Sequence, residues 1–409
     1  MRLLRISVLL VALAAAGPSF AVEYSPIYML QVLGGQSFYS GQKGTLSPNV
    51  NGAFAPAMKF NENWSLLPML STNYQGTEQV LDVVGGQTLF QSQWDNLASL
   101  KGIYTPDDSQ WHLKPSASFK YELLQETADE TLGHGLFDYY QGDAGFEAEY
   151  TYHDPFTFHA GVDYFFTHFP NYTSLESQAA TSFGGQSVAR ELVGDYVLDT
   201  QNGLLRLGVN MPVQDRFILD LGGQVLFEHF PSQHVVDPTG SLTAPLRNDV
   251  ATTFSAGLKM PNEFNADLRT LGSLDVSATY NSSNQNSFDA TQAQYLPYYY
   301  NYAEVRVAPT FKLLIGDARR PVVLGINTAY WYRRYPYRFT QDPNGAYQSD
   351  KIHTNNWLVG ANLNYPMAKH FGLIFDFSYG QGQSNMQYQQ FFQYNYYVAN
   401  YWVGFRYDY

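Results

Sequence analysis

The residues of this chain that could do acid-base chemistry are spaced too widely to form a catalytic group. His159 and Asp163 come closest, because both fall on the same face of a predicted strand. Four residues along a strand span about 13 Å, which is too far for direct proton transfer. The nine His residues show no metal-ligand spacing such as His-x-His, and the sequence contains no Gly-x-Ser-x-Gly. We therefore expect neither an enzyme nor a bound cofactor or metal.

Charged residues instead recur at alternate positions between apolar ones. In residues 111–123, Trp111 and Phe119 fall on one face, while Lys114, Lys120 and Glu122 fall on the other. Residues 140–152, 156–168, 217–229 and 250–260 repeat this period of two, which is the pattern of strands with one apolar and one polar face.

If the apolar faces contact lipid and the strands close into a barrel, charge on the opposite faces requires water or a partner. The pattern then predicts a lumen that is at least partly hydrated. Cross-strand ion pairs that close the lumen are the alternative, although a barrel of about sixteen strands, the number that the spacing of the predicted turns gives, favours an aqueous passage. The predicted inward-facing, pore-lining residues are Lys114, Lys120, Glu122, Glu147, Glu149, Asp163, Arg206, Arg216, Asp220, Glu228, Asp275, Glu304, Arg306, Lys312 and Asp376.

The composition is typical of a protein that crosses a membrane with β-strands. Only 14% of residues are charged, against about a quarter in ordinary soluble domains, and 16% are aromatic. No segment after residue 21 reaches the roughly 18 consecutive apolar residues of a transmembrane helix. The formal net charge of −13 argues against nucleic acid as a partner.

Residues 1–21 have the pattern of a secretory signal peptide. Arg2 and Arg5 precede an apolar run over residues 8–16, and Ala21 ends the segment at a cleavage site of small residues. The predicted mature chain, residues 22–409, shows no internal linker and is expected to form one domain. It contains no Cys, which excludes a lipoprotein anchor and disulfides.

The carboxy-terminal segment indicates the destination of the exported chain. One of its faces carries the aromatic residues and Val at alternate positions, namely Tyr401, Val403, Phe405, Tyr407 and Tyr409. This segment resembles the terminal strand of bacterial outer-membrane β-barrels, in which such a tail is the signal read by the barrel assembly machinery. The resemblance is at class level, porin-like without a subfamily. It implies an all-β, closed, antiparallel, up-and-down transmembrane barrel in the outer membrane of a Gram-negative bacterium.

The connections between predicted strands alternate in length. Seven short links rich in Pro, Asp, Asn and Gly are predicted turns, and seven longer links lie between them, at about 75–91, 125–138, 170–195, 230–247, 282–298, 335–352 and 382–393. Short periplasmic turns and long external loops are typical of such barrels. Sixteen strands result, with fourteen and eighteen left open.

Three features of the predicted loops bear on function. Either 125–138 or 170–195 is a candidate for a constriction loop that folds into the lumen. The clusters at 298–302 and 394–397 are interpreted as an interfacial aromatic girdle, with a stacking platform for sugars as the alternative. Arg333, Arg334 and Arg338 are candidate contacts for lipopolysaccharide phosphates, with a solvated loop as the alternative.

Together these patterns predict a channel for passive diffusion of small hydrophilic solutes or ions, with a mild cation preference from the acidic balance. The alternative is an adhesin or scaffold that acts through its external loops. Outer-membrane lipid, lipopolysaccharide, the assembly machinery and small solutes are the expected partners, and a homo-oligomer is left open.

Overall fold

A computed structural model describes residues 23–409 of the chain with seven gaps: Lys43, 84–86, Ala128, 173–188, Asp215, Thr291 and 390–392. The predicted signal peptide lies outside the described residues. The described chain is almost entirely extended, as the alternating pattern predicts. Among the described residues, no helix is both long and apolar enough to cross a bilayer.

Sixteen long strands form one antiparallel sheet. In chain order, β1 to β16 are Tyr28–Tyr39, Thr45–Phe54, Trp64–Gln75, Ser92–Tyr104, Trp111–Gln125, Tyr139–His153, Phe156–His168, Thr200–Val213, Phe217–Val236, Leu242–Asn265, Leu268–Ser283, Tyr302–Ile315, Val322–Gln341, Tyr347–Ala368, Phe371–Ser384 and Tyr396–Asp408. Two short strands, Glu23–Ser25 and Ala57–Lys59, extend this sheet at one rim.

The sheet closes on itself because β1 pairs with β16. Their register runs from Met29 opposite Asp408 to Tyr39 opposite Val398, so the first and last strands leave no free edge. Each strand also pairs with its neighbours in sequence. The prediction of a closed antiparallel barrel of about sixteen strands is confirmed.

Both ends of the described chain lie at the rim that carries the short turns, and the longer connections lie at the opposite, outer rim. Two links predicted as long loops are instead mostly strand. β9 and β10 continue to a turn at 237–241, and β13 and β14 continue to a turn at 342–346. Cross-strand pairs such as Phe339 with Lys351 continue the strand pairing into these extensions.

At the seam between β1 and β16, the inward face is not polar throughout, unlike the inward faces that the alternating pattern predicts. Trp402 is only 5% exposed and packs with Leu33 and Ile374 in a small apolar cluster inside the barrel. Gly35 makes this possible, because a Cβ there would collide with the Trp402 ring and the Tyr401 carbonyl. One stretch of the inner wall is therefore apolar.

Candidate functional site: the lumen and its outer mouth

The outer surface of the barrel carries large apolar side chains at alternate positions. Leu207, Phe254 and Val403 are 67%, 66% and 56% exposed, and strands all around the barrel carry similar residues. A continuous apolar surface of this kind on a monomer requires cover by lipid or another apolar partner.

The inner wall formed by β4 to β8 carries a network of ion pairs. Lys114 Nζ lies 2.6 Å from Glu149 Oε2 and 3.4 Å from Glu147 Oε1. Lys120 pairs with Glu122 and Asp95, and Arg206 pairs with Asp163 on the neighbouring strand. On this side of the lumen, most predicted pore-lining charges neutralise one another across strands.

Away from the outer mouth, the inner wall formed by β10 to β12 is different, because its charged side chains are exposed to water. Lys259, Asp275, Arg306 and Lys312 alternate with outward-facing apolar residues and so point inward, yet all four are exposed. Lys259 is 49% exposed even though Asp220 lies 3.9 Å from its Nζ. Water therefore has access to this side of the lumen.

An apolar exterior around a charged, water-accessible interior is the arrangement of a barrel that sits in lipid. The protein is an integral outer-membrane β-barrel. In this barrel, Tyr401, Val403, Phe405, Tyr407 and Tyr409 all face outward, each at least 38% exposed. Their role as an assembly signal stays a prediction.

The outer mouth of the barrel is crossed by a hairpin between β3 and β4, formed by Gln79–Asp82 and Gln87–Phe90. We call residues 79–90, without the undescribed 84–86, the cross-lumen hairpin. Asp82 Oδ2 lies 2.5 Å from Arg333 Nη1 on β13. Strand β13 is six strands away from β3, counted around the wall through the seam between β1 and β16. The Gln87 carbonyl accepts a hydrogen bond of 2.9 Å from the Gln393 amide in the last loop.

This hairpin was not among the predicted constriction loops. Its segment, within 75–91, contains Gly85-Gly86 and little charge, so the sequence gives no periodic signal that it turns inward. Asp82 is the one informative residue, and its partner lies 251 positions away along the chain.

The predicted constriction loops do contribute to the mouth. Phe137 from 125–138 and Tyr172, Leu192 and Leu198 from the loop between β7 and β8 are buried with Phe90 of the hairpin. Residues 173–188, the middle of the predicted loop 170–195, lie outside the described residues. The described parts of both loops form a small core against the hairpin.

Residues 189–199 also reach the opposite side of the mouth. The Tyr300 hydroxyl lies 3.1 Å from Glu191 Oε1, and Gln233 Nε2 donates to the Val197 carbonyl at 3.1 Å. Glu191 is 1% exposed, and its burial raises the pKa of its carboxyl group. A buried carboxyl group thus ties this loop to the segment before β12.

Asp138 organises the loop core through its two carboxylate oxygens. Oδ1 accepts from the Leu124 amide at 2.7 Å, and Oδ2 accepts from the Gly135 amide at 3.1 Å. Burial raises the pKa of Asp138 to about 6, although these hydrogen bonds act to lower it.

A carboxyl group whose pKa is raised on folding stabilises the fold below its unfolded pKa, and this stabilisation is lost as pH rises through the folded pKa. We expect the loop core to lose on the order of 2 kcal/mol between pH 4 and pH 6, and Asp138→Asn to remove this dependence. Amide hydrogen exchange of residues 124–138, corrected for intrinsic rates, measures it. If the unaltered protein and Asp138→Asn show the same pH dependence, the dependence does not come from the Asp138 carboxyl group.

Beneath the hairpin lies a cavity of about 290 Å³ against the outer part of β8 to β13. Three arginines stack on aromatic rings here. Arg247 Cζ lies 3.8 Å from the Tyr300 ring centre and 4.1 Å from that of Phe230. Arg338 Cζ lies 4.0 Å from the Tyr299 ring and 4.2 Å from the Tyr335 ring, and Arg333 lies over Tyr302.

This cavity corrects two interpretations of the sequence for the residues that line it. Tyr300 is 3% exposed and carries Arg247 on its ring, so it belongs neither to an interfacial girdle nor to a free stacking platform. Arg338 is 1% exposed and Arg333 is held by Asp82 and Glu304, so neither is available to lipopolysaccharide. Of the three arginines, only Arg334 is exposed on the outward face.

The other predicted pore-lining residues fall in different places. Glu228 faces the outer cavity, and Glu304 pairs with Arg333 at 2.8 Å. Asp376 faces inward on β15, partly buried. Arg216 lies in the short turn before β9 and not on a strand, because β8 ends at Val213.

One histidine at the outer rim contacts a carboxylate, which is the element a hydrolase would need. His168 Nδ1 lies 2.5 Å from Asp199 Oδ2. Its ring, however, is on the outward face between Tyr140 and Tyr196, with ring centres 4.9 and 5.5 Å away. Within the described part of the chain, no serine hydroxyl is hydrogen-bonded to it. This arrangement fits an aromatic anchor at the membrane interface.

No family model matches the chain, and no curated protein matches it. Solved outer-membrane proteins overlap with it in structure. OccD3 (OpdP) of Pseudomonas aeruginosa has a TM-score of 0.47 and 8% identity over 94% of this chain and 91% of its own. OmpT of Vibrio cholerae has a TM-score of 0.43 and 11% identity, over 96% of this chain and 99% of its own. OccAB4 of Acinetobacter baumannii has a TM-score of 0.43 and 8% identity, over 94% of this chain and 98% of its own. These overlaps assign no subfamily.

Proposed function

We propose that the protein is a passive channel for small hydrophilic solutes and ions, narrowed at its outer mouth by the cross-lumen hairpin. The observation that carries this proposal is the water exposure of the inward-facing Lys259, Asp275, Arg306 and Lys312. A lumen closed by ion pairs would bury these side chains, because unhydrated charge is costly. The protein is proposed not to be an enzyme.

In this mechanism a solute exchanges part of its hydration for contacts with the polar wall, and unpaired charges bias which ions pass. The ion pairs of β4 to β8 cancel locally, so selectivity depends on the exposed charges of β10 to β12. These charges do not favour the predicted cation preference, because Lys259, Arg306 and Lys312 outnumber Asp275 there.

Insertion of the purified protein into planar bilayers tests the channel. Stepwise conductance is the expected result, and its absence at every voltage would overturn the proposal. Absence of conductance is what the alternative role, an adhesin or scaffold with a blocked lumen, would give.

Reversing two exposed lumen charges should shift ion selectivity. In Lys259→Glu/Lys312→Glu we expect the cation-to-anion permeability ratio to rise at least about twofold, since a unit charge about 8 Å from a passing ion contributes about 0.5 kcal/mol in water. The reversal potential in a salt gradient measures this ratio. Lys369→Glu, in a short turn outside the lumen, is the matched control and should leave it unchanged.

A further inference from the structure

We propose that the cavity beneath the cross-lumen hairpin binds a small zwitterion, a solute of amino-acid size that carries both a carboxylate and an ammonium group. This inference rests on the proposed function, since the ligand would be a solute on its way through the outer mouth. It follows from which charged groups of the cavity are already paired and which are not.

Two of the three arginines in the cavity have carboxylate partners. Arg247 binds Asp249 through Nε and Nη2, with Nη2 lying 2.6 Å from Oδ2. Arg333 binds both Asp82 and Glu304. Their charges are therefore compensated within the protein.

Arg338 is the exception. Its Nε donates to the Tyr299 carbonyl at 2.6 Å, its guanidinium stacks on tyrosine rings, and it forms no ion pair with any described residue. Its side chain lines the cavity and is only 1% exposed. Its Nη1 is buried without a hydrogen-bond partner. A buried guanidinium without a counter-ion is costly, and an anionic group of a ligand would relieve that cost.

Glu228 provides the opposite charge. It lines the same cavity, and no hydrogen bond or ion pair among the described residues involves it. Arg247 acts on it electrostatically, but that guanidinium donates its hydrogen bonds to Asp249 and Gln233. In the ladder it lies directly opposite Asp249, whose carboxylate is engaged by Arg247. A carboxylate next to a second carboxylate favours a cation, so the ammonium group of a ligand fits here.

The size and lining of the cavity limit the rest of the ligand. A volume of about 290 Å³ is at the lower end of small-molecule pockets, which span roughly 300–1,000 Å³, so an oligosaccharide is too large. Phe169, Leu198 and Phe230 supply apolar surface beside the charged groups. The wall presents three arginines and three carboxylates, which disfavours a ligand with net charge.

Calorimetric titration of the detergent-folded protein with L-leucine tests the site. L-leucinamide lacks the carboxylate and 4-methylpentanoate lacks the ammonium group, so both should bind at least about tenfold more weakly, the effect of one charge-assisted hydrogen bond. Equal binding of L-leucine and 4-methylpentanoate would overturn the role of Glu228. Equal binding of L-leucine and L-leucinamide would overturn that of Arg338.

Two variants locate the ligand. Glu228→Gln should weaken L-leucine about tenfold and leave 4-methylpentanoate unchanged, whereas Lys369→Gln should leave both unchanged. Arg338→Lys keeps the positive charge but loses the planar guanidinium with its several N–H donors, so it should weaken the binding of both ligands. Heat-modifiable gel mobility verifies that each barrel is folded. If Arg338→Lys does not fold, Glu228→Gln alone decides whether the ligand binds in this cavity.

The two proposals can fail separately. A protein that conducts in bilayers but does not bind L-leucine would overturn this inference and leave the channel intact. A protein that binds L-leucine but never conducts would overturn the channel while the binding site stands.

Discussion

Replacement of Asp82 by Arg is expected to release the cross-lumen hairpin from the opposite wall and to raise single-channel conductance about twofold or more. The change removes a charge-assisted hydrogen bond worth about 1.5–3 kcal/mol and places a second positive charge against Arg333. A loss of about 1.4 kcal/mol already increases the displaced population about tenfold. The remaining hydrogen bond from Gln393 to Gln87 does not depend on charge.

Single-channel recording in planar bilayers measures the effect. Asp82→Asn should give an intermediate conductance, because it removes the charge attraction without adding repulsion. Asp108→Arg makes the same charge change in an exposed turn at the opposite rim and is the matched control. If Asp82→Arg and Asp108→Arg both conduct like the unaltered protein, the hairpin does not limit the passage of ions.

The barrel itself could be predicted from the sequence because lipid imposes a strict pattern. Phe119, Phe146 and Phe158 each mark an outward position, and one face of a strand determines the other. The lengths of β9, β10, β13 and β14 could not be predicted as well. Beyond the bilayer the outward positions need not be apolar, so the alternation of apolar and polar residues is lost although the strands remain paired.

The outer mouth could not be predicted because its contacts are set by geometry and not by period. The sequence identified Arg338 as a charged residue near the outer end of a strand, but nothing local shows that Tyr299 and Tyr335 enclose it. The same holds for Asp82 and Arg333, which meet only because the barrel closes. Residues that act across a lumen are distant in sequence by construction.

Arg247 is expected to be the most sensitive single residue of the outer mouth. It is 7% exposed, is enclosed by Phe230 and Tyr300, and is the ion-pair partner of Asp249. Arg247→Met leaves the buried Asp249 and the adjacent, partly buried Glu228 without that cation. Loss of one partner of a buried ion pair costs about 3–5 kcal/mol, so the mouth should open locally while the barrel stays folded.

Hydrogen exchange of the amides in residues 230–249 measures this opening, and exchange within β15 reports on the barrel as a whole. Arg306→Met is the control, because Arg306 is exposed in the lumen and should cost less than about 0.5 kcal/mol. The double variant Arg247→Met/Asp249→Leu should recover most of the loss, since replacing both charges by apolar groups removes the uncompensated carboxylate. If the double variant is as labile as Arg247→Met, the stacking of Arg247 on Phe230 and Tyr300, and not its pairing with Asp249, holds the mouth together.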